Sequence, residues 1–233
     1  MFPRVRALFV LPLLCLGGAA SAVPRPAVVE LFTSQGCSSC PPADVLVGEL
    51  ARRSDVIALA FHVDYWDNLG WRDRFELPLA AQRQQRYVQT LGLSSAFTPQ
   101  LVIDGHRSFV GSDRRSITAA LLQKSDGIDV RARMVEGNLV VELGAGPQEP
   151  FDVSAAAYLP RADSHVERGE NAGRTLTDFN VVLALVPLGT WQGSAARFAV
   201  PLASLPNDAT QVAILVQHRG QGEIVGAQVL TIR

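Results

Sequence analysis

The residues best placed to do chemistry are Cys37-Ser38-Ser39-Cys40, followed at once by Pro41 and Pro42. A CxxC pair can cycle between dithiol and disulfide, hold a metal, or brace a loop. A structural zinc needs about two further ligands at suitable spacing, and His62, His106, His165 and His218 are scattered. A bridge across two residues closes a very small loop, and stabilisation grows with loop length. Redox cycling is therefore the leading reading. Copper handling, since soft thiolates favour Cu(I), and a structural bridge stay open beside it.

The elements around the pair support that reading. "AVVELFTS" (27–34) is a short apolar run of a buried strand. Pro41 and Pro42 suit the first turn of a helix, where a missing N–H costs little. "ADVLVGELARR" (43–53) continues that helix, and "DVIALAFHVD" (55–64) is a second buried strand. The result is a right-handed βαβ crossover with parallel strands. A helix N-terminus favours a thiolate over a thiol, so Cys37 is the expected nucleophile and Cys40 the resolving thiol. Ser38 and Ser39 offer donors to the Cys37 sulfur.

Downstream, "SAFTPQLVIDGHRSFVGS" (95–112) predicts a turn at Thr98-Pro99, a strand over 100–103, a turn at Asp104-Gly105 and a strand over 107–110. A helix over 113–124 follows. A further helix is predicted over 77–93, and no chemistry is assigned to it.

Composition bounds the rest. The chain has 233 residues, 48% hydrophobic, with a formal net charge of −1, so it can bury a sizeable core and has no electrostatic footprint for nucleic acid. Arg4 and Arg6, an apolar run over 7–16 and Ala20-Ser21-Ala22 read as a signal peptide (1–22) cut after Ala22. The run is too short for a comfortable membrane span, and no stable membrane association is expected after cleavage. Bulky Leu14 before Cys15 argues against lipoprotein processing. The expected location is secreted or periplasmic, and Cys37 and Cys40 are then the two remaining cysteines.

"CSSC" on strand–turn–helix, with "TP" before a hairpin and a closing helix, resembles the thioredoxin fold. The resemblance implies a cis bond between Thr98 and Pro99, packed beside a Cys37–Cys40 disulfide. The chain departs from thioredoxin in having Ser-Ser between its cysteines rather than Gly-Pro. Glu30 is offset by a residue from the place of thioredoxin's buried acid, so that role is not transferred. "VELFTSQGCSSCPPAD", "FHVDYWDNLGWRDRF", "TPQLVIDG" and "RGENAGRTLTDFNVV" together resemble the secreted thioredoxin-like proteins grouped as domain of unknown function number 1223.

Two polar stretches face choices. "HVDYWDNLGWRDRF" (62–75) follows the second strand and should rise on the same sheet edge as Cys37. Trp66 and Trp71 are candidate apolar anchors of a docking lip, with Asp64 or Asp67 orienting polar groups, or else core filling. His62 is a candidate electrostatic partner of the Cys37 thiolate, or simply the end of a strand. "HVERGENAGRTLTDFN" (165–180) either gates or docks at the redox site, or is a solvated loop.

The expected fold class is an α/β thioredoxin-like domain (23–126) with a helical insertion, followed by an antiparallel β-sandwich-like domain (127–233). The expected function is an exported thiol–disulfide oxidoreductase with catalytic Cys37 and Cys40, and Thr98, Pro99, Ser38, Ser39, His62, Trp66 and Trp71 around its client. The partner is a protein thiol or disulfide, or a redox partner, and no cofactor or metal is expected. The alternatives are a non-catalytic interaction module and a copper carrier using the CxxC with His62. Met134, the single mature methionine, belongs to the second half, which weakens copper.

Overall fold

The computed structural model describes residues 23–123 and 125–233; the expected leader, with Cys15, lies outside the described residues. A short strand, Val23–Arg25 (β1), leads into Ala27–Thr33 (β2), helix Pro41–Leu50 (α1) and Val56–His62 (β3). Helix Pro78–Thr90 (α2) follows, then strands Gln100–Ile103 (β4) and Arg107–Val110 (β5) and helix Arg114–Ala120 (α3). Ser125–Gly127 (β6) pairs antiparallel with β1.

The second half adds Val130–Val135 (β7), Asn138–Leu143 (β8), Phe151–His165 (β9), Thr175–Trp191 (β10), Ala196–Pro201 (β11), Gln211–His218 (β12) and Ile224–Thr231 (β13). Among the described residues no helix is long and apolar enough to cross a membrane.

The expected strand–helix–strand unit forms. β2 and β3 run parallel in register from Ala27↔Val56 to Thr33↔His62. Cys40 caps α1, and the prolines occupy its first turn, as their fixed φ and missing N–H allow. β4 and β5 occupy the expected residues. Their turn holds Asp104 and Gly105 at φ 49° and 71°, the left-handed pair that a tight hairpin requires.

The two halves share one sheet. Its order is β13-β12-β9-β10-β3-β2-β4-β5. The junction is the parallel pairing of β10 with β3 at Val181↔Ala60, where Asn180, at φ 47°, donates from Nδ2 to the Ala58 carbonyl at 2.7 Å. The change of pattern near residue 126 is thus a change of connectivity, and hydrogen bonding runs across it.

Alternation along the strands assigns each face. One face carries a core from Val28, Phe32 and Phe61 through Tyr87 of α2 to Tyr158, Ala213 and Leu215. On the other face α1 and α3 cover Val29, Leu31, Ala58 and Leu101. A three-stranded sheet, β11-β8-β7, covers Val153, Ala155, Val212 and Ile214 beside them. This sandwich-like layer is built on the same large sheet as the CxxC and is not a free-standing body.

The stretch expected as a 165–180 loop is strand at both ends and turn between them. β9 runs to His165 and β10 begins at Thr175, paired Thr175↔His165. Alternating exposed and buried residues there make a projecting ribbon whose outer side reads as loop. Only 166–174 forms the turn.

Candidate redox site

Cys37 and Cys40 are joined by a disulfide with Cα atoms 5.4 Å apart. They stand between the carboxyl end of β2 and the first turn of α1. The loop folds tightly: Cys37 N–H donates to the Ser34 carbonyl at 3.1 Å, and Cys40 N–H to the Cys37 carbonyl at 3.2 Å. Ser39 Oγ lies 3.4 Å from Cys37 Sγ; the disulfide sulfur has no proton, so the hydroxyl is the donor. Ser38 and Ser39 are exposed, yet both cysteines are 0% exposed.

Three segments pack against the CxxC loop. The Thr98–Pro99 peptide is cis, and Ser39 Oγ reaches the Thr98 carbonyl at 3.5 Å. Trp66 donates from Nε1 to Thr98 Oγ1 at 2.8 Å and backs onto Gly36, where any Cβ would stand 3.0 Å from Trp66 Cβ. Trp71 donates from Nε1 to Gln35 Oε1 at 3.1 Å. Both indoles are half-buried with their N–H groups committed inside the protein, so they brace the CxxC loop. Gln84 of α2 ties this wall down, donating to the Phe97 carbonyl at 2.7 Å and accepting from the Tyr65 hydroxyl at 3.1 Å.

The third cover comes from the other half of the chain. Asn171 Nδ2 donates to the carbonyls of Gln35 (2.9 Å) and Cys37 (3.0 Å). Glu170 accepts from the Ser38 N–H at 3.1 Å, and the Ser38 hydroxyl together with this N–H holds its carboxyl below the usual range.

Beneath the loop lies a buried polar cluster. Thr33 donates from Oγ1 to Asp44 Oδ1 at 2.8 Å. His62 Nδ1 is 2.7 Å from Asp73 Oδ2, which also accepts from the Gln35 N–H at 2.8 Å. Gln35 Nε2 donates to Asp178 Oδ2 at 2.7 Å and to Ser164 Oγ at 2.9 Å. His62 Nε2 has no hydrogen-bond partner among the described residues and faces Asp178 Oδ1 at 4.0 Å.

Burial and position set the protonation. Burial, then the charge of Asp178, pushes the Asp44 carboxyl up to about 7. Burial opposes charge on His62, but Asp73 outweighs it and raises the imidazole to about 9. Burial likewise works against ionised Asp73; the imidazolium and two backbone N–H donors prevail and hold it below the carboxylate range. Burial raises Asp178.

These shifts predict a pH dependence. A carboxyl raised in the folded state carries no penalty below its unfolded pKa of 3.8; the penalty grows with pH and is complete above about 7. Asp44→Asn keeps an oxygen for Thr33 and removes that charge. It is expected to stabilise the protein by about 2–4 kcal/mol at pH 8 and by little at pH 4. Urea unfolding of both forms across that range checks it. His62 acts in the same sense: its raised pKa stabilises fully below 6.5, and that contribution is lost as pH climbs through about 9.

The structure brings Cys37, Cys40, Ser38, Ser39, Thr98, Pro99, Trp66 and Trp71 together. His62 stands in the same region, but its contacts run to Asp73, Asp178 and Phe75.

Glu30 faces the α2 side of the sheet, opposite α1. There Arg83 donates to its two oxygens at 2.6 and 3.0 Å, and the Tyr87 hydroxyl also bonds it. The buried acid behind the CxxC is Asp44, which sequence reasoning missed. Its signal was its place four residues after Cys40, on the same helix face. Gln35 was missed as well, and Asp73, Asp178 and Asn171 were noted within their polar stretches without being assigned these contacts. Asp178 sat inside a recognised polar stretch, and Asp73 was one of the aspartates in the 62–75 segment.

A family model described as "Protein of unknown function (DUF1223)" matches residues 28–217. The chain belongs to this family. No curated protein matches it. Among solved structures, the DUF1223 chain is similar to protein AGR_C_4864 from Agrobacterium tumefaciens, with 30% identity and a TM-score of 0.77, over 91% of this chain and 96% of that one. It is also similar in fold to HBP35 of Porphyromonas gingivalis, with 14% identity and a TM-score of 0.61, over 91% of this chain and 76% of that one. The DUF1223 match spans both halves of the sheet, from β2 to β12.

Proposed function

We propose that this protein is an exported thiol–disulfide oxidoreductase of thioredoxin-like type, acting on protein disulfides through Cys37 and Cys40. The observation that carries the reading is the Cys37–Cys40 disulfide at a strand end and helix start, over a buried acid whose pKa lies near neutrality. A group poised near the working pH is suited to move protons. Asp44 lies one helical turn behind Cys40 on the same face.

In the reducing direction the Cys37 thiolate attacks a client disulfide. A Cys37–client mixed disulfide forms, and the first client sulfur leaves and takes a proton. Asp44 accepts the Cys40 proton. The Cys40 thiolate then attacks Cys37 Sγ and expels the second client thiolate, which is protonated. The client gains two electrons and the pair loses two; an external dithiol reductant restores it. The reverse sequence oxidises a client dithiol.

The test is reduction of insulin by dithiothreitol with catalytic amounts of the mature chain. Acceleration above the uncatalysed rate supports the proposal; none by the reduced protein contradicts it. Asp44→Asn is expected to slow this turnover about 10-fold or more while gaining stability, since general acid–base groups contribute about 10²–10⁴. Turnover unchanged in this variant would remove Asp44 from the mechanism.

A further inference from the structure

We propose that the turn at the tip of the β9–β10 ribbon, Val166–Arg174, is a strap that covers the Cys37–Cys40 disulfide and must lift before an external thiol reaches Cys37. The inference rests on the oxidoreductase reading for its purpose, but on the geometry for its existence.

Disulfide exchange begins when a thiolate reaches a disulfide sulfur, and its rate depends on access. Both cysteines are 0% exposed although the serines between them face solvent. The strap engages the CxxC loop through backbone groups on three neighbouring residues. Asn171 Nδ2 donates to the Gln35 and Cys37 carbonyls at 2.9 and 3.0 Å. Glu170 accepts the Ser38 N–H at 3.1 Å. Arg174 Nη1 donates to Asn171 Oδ1 at 2.7 Å, which sets the amide with its NH₂ toward the loop.

The cover is built to be reversible. Within the turn only Val166 and Asn171 are buried; Glu167 to Glu170 and Ala172 to Arg174 are exposed. Below it the ribbon is secured by pairing from Thr175↔His165 to Phe179↔Arg161 and by the bonds of Gln35 to Ser164 and Asp178. Gly169 and Gly173, at φ 76° and 78°, give the turn a backbone that other residues rarely adopt. The Asn171 bonds are buried, whereas the Glu170 bond lies at the surface, and a segment with few buried side chains opens at low cost. The turn can therefore move while the ribbon stays paired.

The strap also points to the client class. It occupies one backbone N–H and two carbonyls of the loop, the groups that an extended peptide pairs with. A protein client can replace those bonds as it displaces the turn. A small thiol replaces none of them and waits for spontaneous opening.

The test is the rate at which dithiothreitol, in pseudo-first-order excess, opens the disulfide in the oxidised mature chain, read by alkylation mass shift. Asn171→Asp keeps the size of the side chain but removes both donors. It is expected to raise the rate constant about 10-fold, as two lost hydrogen bonds imply. Glu170→Ala changes an exposed side chain, so folding is not at stake, and is expected to raise it about 3-fold. Rates equal to wild type in Glu170→Ala and in folded Asn171→Asp would overturn the strap. If reduction speeds up but no form turns over insulin, the strap stands and the oxidoreductase reading falls. If rates do not change but wild type turns over insulin, the reverse holds.

Discussion

Cys40→Ser is expected to reduce turnover of client disulfides to background while leaving the protein able to capture a client. Cys37 still attacks and forms the mixed disulfide, but no second thiolate remains to resolve it. The covalent complex should accumulate with reduced protein and oxidised client, and appear in intact mass under non-reducing conditions. Cys37→Ser is expected to lose both turnover and capture. The asymmetry follows from position: Cys37 opens the loop, whereas Cys40 is the cap of α1, with its carbonyl accepting from Ala43 and Asp44 N–H at 2.8 and 3.2 Å. If Cys37→Ser captured clients through Cys40 instead, the assignment of nucleophile and resolver would be reversed.

Arg83→Ala is expected to produce the largest loss of stability, about 3–5 kcal/mol, because it strands the buried Glu30 carboxylate. Arg83 is 4% and Glu30 0% exposed. Its guanidinium also donates from Nη2 to the Tyr87 hydroxyl at 3.1 Å and to Gln217 Oε1 at 3.0 Å. One side chain thereby ties β2, α2 and β12, across the two halves of the sheet. Arg83→Lys cannot reproduce the fork and is expected to lose about half as much. The double change Glu30→Leu with Arg83→Met removes both charges and is expected to recover most of the loss. Urea midpoints and slopes for the four forms check this; equal destabilisation by the single and double changes would show that packing, not charge, dominates.

The strand–CxxC–helix unit and the β4–β5 hairpin were legible because their signals are local. Apolar runs of strand length, paired prolines at a helix start and an Asp-Gly turn act within a few residues. The pairing of β10 with β3 was not legible, because no local pattern says which distant strand completes a sheet. The 165–180 stretch was read as polar without its position. Its orientation depends on the long β9–β10 ribbon, whose alternation around Thr175–Asp178 resembles a loop until its partner is known. Asp44 was overlooked, and Asp178 was left between a gating and a solvated reading, because a lone carboxylate in a helix or strand ordinarily faces water. Burial became tolerable only when Thr33, Gln35 and His62 were assembled around them from separate elements.

The most direct test is an equilibrium titration of residues 23–233 in graded glutathione buffers, counting free Cys37 and Cys40 thiols by alkylation mass shift, with Cys37→Ser as control. A redox-cycling pair predicts one reversible two-electron transition between about −280 and −120 mV. A pair that stays oxidised below about −300 mV, or whose sulfurs react only after unfolding, would contradict the account and make the bridge a structural one.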